Sequence, residues 1–217
     1  MINRAIENSL KTDFGRKKVI VILGPRQVGK TTLLEALGTS DKKCLMLNCD
    51  DIDDAMLIEN KTSTELKTLI SSYDLVCIDE AQRVRNIGMT LKKIGDLKLD
   101  TQVIVTGSSS FDLSNDINEP ATGRLLEYQF FPLSMSELAA NSSAREQQRL
   151  LGNRLVYGLY PEVVTLPSDA KRTLTTLVNN YLYKDILSYK GIKKPELLQK
   201  LVRALALQLG SEVSYNE

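Results

Sequence analysis

The chain has 217 residues, 42% hydrophobic and 25% charged, a composition that fits a folded globular protein and excludes a disordered, collagenous or disulfide-stapled one. Lys and Arg number 28 against 27 Asp and Glu, so net charge announces no polyanionic partner, and the absence of histidine removes imidazole catalysis and His metal ligands. No apolar run reaches the roughly 18 residues that span a bilayer, the N-terminus has no signal core, and Cys44, Cys49 and Cys77 read as reduced core thiols; a cytoplasmic chain with no membrane contact is expected.

After a polar lead, Val19-Ile20-Val21-Ile22-Leu23 is a continuous apolar, mostly β-branched run closed by Gly24-Pro25, the pattern of a strand buried on both faces. Lys30 to Leu37 reads as a helix stopped at Gly38, followed by the apolar run Cys44-Leu45-Met46-Leu47 and the acidic group Asp50, Asp51, Asp53 and Asp54. A helix over about residues 63–71 leads to Leu75-Val76-Cys77-Ile78, a second buried strand ending in Asp79-Glu80. Residues 84–97 read as helical and Gln102-Val103-Ile104-Val105 as a strand; a loop-like stretch from Asn115 to Gly123 precedes a fifth strand from Leu126 to Phe131. Strands alternating with helices imply a parallel sheet with crossover helices. Beyond Ser134 the pattern is helical, over about residues 135–140, 144–157, 169–189 and 196–209. The expected organisation is an α/β domain over residues 1–140 and a helical segment over 141–217. Ser214-Tyr215-Asn216-Glu217 has the spacing of a capping box, so a further helix, and with it a longer protein, is expected to follow.

Gly24-Pro25-Arg26-Gln27-Val28-Gly29-Lys30-Thr31 fits the phosphate-loop spacing Gly-x-x-x-x-Gly-Lys-Ser/Thr, between a strand and a helix as the motif requires. Its glycines let the backbone curl so that N–H groups converge on phosphate oxygens, and the helix N-terminus adds partial positive charge. Gly24 through Thr32 are therefore expected to hold the triphosphate of a nucleotide, with Lys30 on the β and γ oxygens and the Thr31 hydroxyl on Mg²⁺. Arg26 reads as solvent-facing or bound to a partner, and Thr32 as a helix residue, not a second metal ligand. Asp79 would hold the Mg²⁺ through water and Glu80 would polarise the attacking water. Many buried strands end in an acid, so it is the pairing with a phosphate loop that carries this reading. Ser108, in Thr106-Gly107-Ser108-Ser109-Ser110, either senses the γ-phosphate or the attacking water, or caps a short helix near Phe111. Arg124 either reaches the γ-phosphate of its own or a neighbouring subunit of an oligomer, or is an ordinary surface arginine.

These motifs, together with Val105-Thr106-Gly107-Ser108, Gly123-Arg124-Leu125, Phe131-Pro132-Leu133-Ser134, Gly158-Leu159-Tyr160-Pro161 and Tyr183-Lys184-Asp185-Ile186, resemble those of prokaryotic AAA-superfamily ATPases, in which an AAA-like module precedes a C-terminal domain of unknown function. The resemblance covers nearly the whole chain. It implies a P-loop NTPase three-layer sandwich with a mostly parallel five-stranded sheet, in which the strand of Asp79 is separated from the phosphate-loop strand by the strand before Ser108. It also implies ATP and Mg²⁺ as ligands, slow hydrolysis, and a continuation into winged-helix-like and nuclease-like parts.

The leading function is an ATP switch or motor for an attached effector. Asp79-Glu80-Ala81-Gln82 lacks the D-x-x-G of GTPases, and Glu80 stands against a metabolic kinase. A nucleic-acid-binding module is the alternative: Lys171, Arg172, Lys184, Lys190, Lys193, Lys194, Lys200 and Arg203 outnumber Asp185 and Glu196, although solvated helix faces give the same pattern. An ATP-gated scaffold with little turnover differs from the first reading only in whether Glu80 works. A protein or nucleic-acid partner is expected on the C-terminal region.

Overall fold

The computed structural model describes residues 2–39, 43–108, 123–140, 142–179 and 195–212. The chain divides into two compact units, Met1–Ala170 and Lys171–Glu217.

In the first unit β1 (Val19–Gly24), β2 (Cys44–Asn48), β3 (Leu75–Asp79), β4 (Gln102–Ser108) and β5 (Leu125–Gln129) form one sheet in the order β2-β3-β4-β1-β5. Every pairing is parallel, so the carboxyl ends of all five strands lie along one edge. β4 separates β1 from β3, the order expected from the resemblance, and its register sets Gly24 beside Ser108. β1, β3 and β4 are buried at every residue, as runs of Val, Ile and Leu without polar alternation require of central strands, whereas β2 and β5 are half-exposed edges.

The sheet's two faces carry two cores. Val19, Val21, Val76, Ile78 and Val105 pack with Leu66 and Ile70 of α4 (Ser63–Ile70) and Ile87 and Leu91 of α5 (Ile87–Leu97), while α3 (Ile52–Ile58) adds Ile58. On the opposite face Ile20, Ile22, Cys77 and Ile104 pack with Leu10 of α1 (Ile6–Asp13) and with Leu33, Leu34 and Leu37 of α2 (Lys30–Gly38). Helix, sheet and helix are thus three layers, the P-loop NTPase architecture.

Three short helices have no counterpart in the sequence reading: α1, α3 and a helix over Pro161–Thr165. α1 forms within the polar lead around the single buried Leu10, and α3 opens where the Asp51 carboxylate accepts from Asp53 N, so the acidic group serves as a helix cap. The helix expected over 84–97 starts later, at Ile87, because Asn86 before it takes left-handed backbone; a 3-10 turn (Ala81–Arg83), itself preceded by the left-handed Glu80, comes before α5. Gly38 is the last residue of α2, not the residue after it. α6 (Met135–Ala139), α7 (Ala144–Tyr157) and α8 (Pro161–Thr165) complete the first unit, α6 and α7 opening on the side chains of Ser134 and Ser143.

The second unit contains all but the first residue of α9 (Ala170–Leu177), and α10 (Pro195–Leu207). The rest of the helix expected to Tyr189, the basic residues Lys184, Lys190, Lys193 and Lys194, the cap near Phe111 and the capping box Ser214–Glu217 lie outside the described residues. Among the described residues no helix is long and apolar enough to cross a membrane. The three cysteines are free; burial, with the carboxylates of Asp54 and Asp79 nearby, pushes the Cys49 thiol up to about 12, and burial pushes Cys77 up as well, so neither is poised as a nucleophile.

Candidate functional site

The phosphate loop leaves β1 at Gly24 and enters α2 at Gly29. Gly24 is glycine for reasons of packing: a Cβ there would lie 2.2 Å from the Phe130 carbonyl oxygen. Gly29 is glycine for reasons of backbone, with φ +93, and Gln27 at φ 61 is also left-handed, so the loop makes the curled path that turns N–H groups inward. Lys30 is buried at the start of α2, and its ammonium donates to Gly24 O at 2.9 Å and Pro25 O at 2.8 Å, across the mouth of the loop. Thr31 and Thr32 are exposed on the first turn of α2, and Arg26 is half-buried.

Because β4 lies between β1 and β3, three strand ends meet beside this loop. Thr31 Oγ1 donates to Asp79 Oδ2 at 2.5 Å, and Thr106 Oγ1 donates to Asp79 Oδ1. Asp79 and Thr106 are buried, so the carboxylate is held on both oxygens in a place water scarcely reaches. Glu80 follows with φ 51 and ψ 39, a conformation that costs a non-glycine residue about 1–2 kcal/mol and persists where surroundings enforce it. Its N–H donates to Asp79 Oδ1 at 3.1 Å and to Thr106 Oγ1 at 3.4 Å, and its carboxylate accepts from Gln82 Nε2. Ser108, buried at the end of β4, donates its N–H to Gln82 Oε1 at 3.3 Å.

Lys30, Thr31, Asp79, Glu80 and Ser108 therefore converge at the carboxyl edge of the sheet. The structure does not bring Arg124 to them. Arg124 immediately precedes β5, whose first residue pairs with Val19 at the other end of β1, and its carbonyl accepts from Val19 N at 3.1 Å. Five residues of strand, about 16 Å at ~3.3 Å each, lie between that end and Gly24, and the Arg124 guanidinium is bound to Asp96 of α5. A contact from Arg124 to the γ-phosphate of its own chain is thus corrected: the crossover from β4 returns the chain to the amino edge.

Thr106, to which the sequence reading gave no role, holds Asp79. Arg4 carried no motif at all, yet it grips the loop from outside: Nη1 donates to Val28 O at 2.8 Å, Nη2 to Phe131 O at 2.6 Å, the guanidinium lies 4.0 Å from the centre of the Phe130 ring, and Nε pairs with Glu137 Oε1 at 3.1 Å. Glu137, at the third position of α6, also accepts from Ala5 N and Ser134 N. Ser134 and Glu137 form a capping box, and the ion pair of Glu137 with Arg4 joins residues 133 positions apart in the chain. Burial pushes the Glu137 carboxyl up, but the hydrogen bonds from Ser134, Ala5 and Arg4 outweigh it and hold the carboxyl below its ordinary value.

Glu137→Gln leaves Arg4 buried without its counter-charge, and a loss of about 2–3 kcal/mol at neutral pH is expected. Because the folded carboxyl titrates below the unfolded one, its contribution is present above about pH 4.3 and is lost as pH falls through the lower folded value. Thermal melts at pH 7 and pH 3 should show the wild type well above the Gln variant at the first and the gap closing at the second.

The donor set fits magnesium. Thr31 Oγ1 and the Asp79 carboxylate are hard oxygens on adjacent elements, and Mg²⁺ takes one or two protein oxygens and fills its remaining positions with phosphates and water. Among the described residues no group of three or more His, Cys, Asp or Glu is gathered that would hold a metal by protein ligands alone.

A family model described as an AAA domain matches residues 16–139, more than half the chain, and one described as a domain of unknown function matches residues 148–217. An uncharacterized protein of Haemophilus influenzae is 26% identical over 94% of this chain and 54% of its own length. Another from Methanocaldococcus jannaschii is 24% identical over 99% of this chain and 51% of its own. The chain thus spans about half the length of these curated relatives. A solved Walker-type ATPase of Pyrococcus abyssi aligns with a TM-score of 0.47 at 16% identity, covering 96% of this chain and 78% of that one. With a phosphate loop, the acid pair Asp79-Glu80 at the end of β3 and the 2-3-4-1-5 strand order inside the matched span, the chain belongs to the AAA domain family.

Proposed function

We propose that this chain binds ATP with Mg²⁺ on Gly24 to Thr32 and hydrolyses it, as a nucleotide-driven switch or motor for an effector attached to it. The observation that carries the reading is the meeting of Thr31, Asp79 and Thr106 beside Lys30, because four residues from three separate stretches of chain converge there with the polarity a magnesium nucleotide needs. Phosphate oxygens would replace the two loop carbonyls as partners of Lys30. Bound Mg²⁺, held by Thr31 and through water by Asp79, would neutralise charge on the β and γ oxygens. Glu80 is the general base that orients the attacking water, and Ser108 stands at the strand end beside Gly24, where a hydroxyl reports the γ-phosphate.

Nucleotide work is assigned to residues 1–140 and output to 141–217, where the described cations Lys171, Arg172, Lys200 and Arg203 offer a surface to a protein or nucleic-acid partner. In an oligomer, Arg124 would serve a neighbouring subunit's site. Free cysteines and ATP as ligand support a cytoplasmic location for this activity.

Equilibrium binding of a fluorescent ATP analogue tests this. Wild type should bind it, and Lys30→Ala should weaken binding by about 100-fold, the scale on which lost charge-assisted contacts to phosphate act. Equal affinity of the two proteins would remove the phosphate loop from the account.

A further inference from the structure

We propose that Gln82 is a positioning residue for Glu80: its amide fixes the direction of the Glu80 carboxylate and ties it to the end of β4. The inference rests on the hydrolytic reading above. Gln82 sits in the 3-10 turn that follows Glu80, and both ends of its amide are engaged. Nε2 donates to Glu80 Oε2, and Oε1 accepts the Ser108 N–H at 3.3 Å. A backbone N–H only donates, so Ser108 requires the amide oxygen to face it, and that choice turns the NH₂ towards the glutamate.

Ser108 ends β4 beside Gly24, where the phosphate loop leaves β1. One side chain therefore bridges the carboxylate that would orient water to the backbone next to the triphosphate. The backbone of Glu80 is fixed separately, by its N–H on Asp79 and Thr106. Without Gln82 the Glu80 side chain would keep its root and lose its aim. Misplacement of a reacting group by about 1 Å costs on the order of 100-fold in rate.

The two contacts can be separated by substitution. Gln82→Ala removes both. Gln82→Glu keeps an acceptor for the Ser108 N–H but sets a second carboxylate against Glu80. Gln82 is half-buried, and neither change opens the core. Single-turnover hydrolysis of Mg–ATP, ATP affinity, melting temperature and amide exchange at Ser108 are measured on wild type and both variants. Both variants should bind ATP within about twofold of wild type, melt with it, and hydrolyse about 10–100-fold more slowly. Protection of the Ser108 amide should be lost in Gln82→Ala and kept in Gln82→Glu. Rates within about twofold of wild type, or a loss expressed in ATP affinity with the rate intact, would overturn the proposal. A wild type that binds ATP without hydrolysing it is instead a failure of the hydrolytic reading. The bridge is then decided by the Gln82 side-chain NH₂ resonances, which must shift in Glu80→Ala; resonances that stay in place overturn it.

Discussion

Glu80→Gln should leave ATP binding unchanged and lower hydrolysis by about 10²–10⁴-fold, the usual worth of a positioned general base. The size of the effect follows from the lack of a substitute. The chain has no histidine, and both oxygens of the neighbouring Asp79 carboxylate are taken by Thr31 and Thr106. The amide of a glutamine fills the same space but accepts no proton from water, so the variant should accumulate a stable ATP complex. Single-turnover hydrolysis with labelled ATP, alongside equilibrium binding, reads the two properties apart. A Gln variant that still hydrolyses within tenfold of wild type would assign the water to another group.

Gly24→Ala should damage folding and nucleotide binding together. The new Cβ would lie 2.2 Å from the Phe130 carbonyl oxygen and 3.1 Å from the Phe130 side chain, and Phe130 N donates to Leu23 O at 2.7 Å, so the methyl group meets backbone that is itself anchored to β1. Relief requires the phosphate loop and the segment after β5 to part. Overpacking of this kind costs about 1–3 kcal/mol or more, and the part displaced is the one that binds phosphate. A melting temperature lowered by several degrees and ATP affinity lowered by about tenfold or more are expected. Gly152→Ala is the control: its Cβ meets nothing within 4 Å on α7, and a helix gains about 0.5–1 kcal/mol from the change. A Gly24→Ala protein indistinguishable from wild type would show that the contact with Phe130 yields at no cost.

What the sequence disclosed was whatever depends on local pattern. Apolar runs buried on both faces marked β1, β3 and β4, and the phosphate-loop spacing located Lys30 and Thr31 beside the helix start. What it concealed depends on which end of the sheet a residue reaches. Arg124 is close in sequence to the end of β4, but a parallel crossover carries it to the opposite edge, onto Asp96. Arg4 lies in a polar stretch without periodicity, and its role appears only when Val28, Phe131 and Glu137 are brought to it from elsewhere in the chain. That Thr106 is the partner of Asp79 is likewise a matter of register between β3 and β4, where Ile78 pairs with Val105 and the next residues of the two strands face one another.

The proposed function requires that the convergence of Lys30, Thr31 and Asp79 be a working Mg–ATP site. The most direct measurement is phosphate release by the wild-type chain at saturating ATP over a titration of Mg²⁺. Release should be absent without the metal and saturate as it is added. Bound ATP that stays intact at every Mg²⁺ concentration would contradict the proposed function, and would leave a nucleotide-gated scaffold in place of an ATPase.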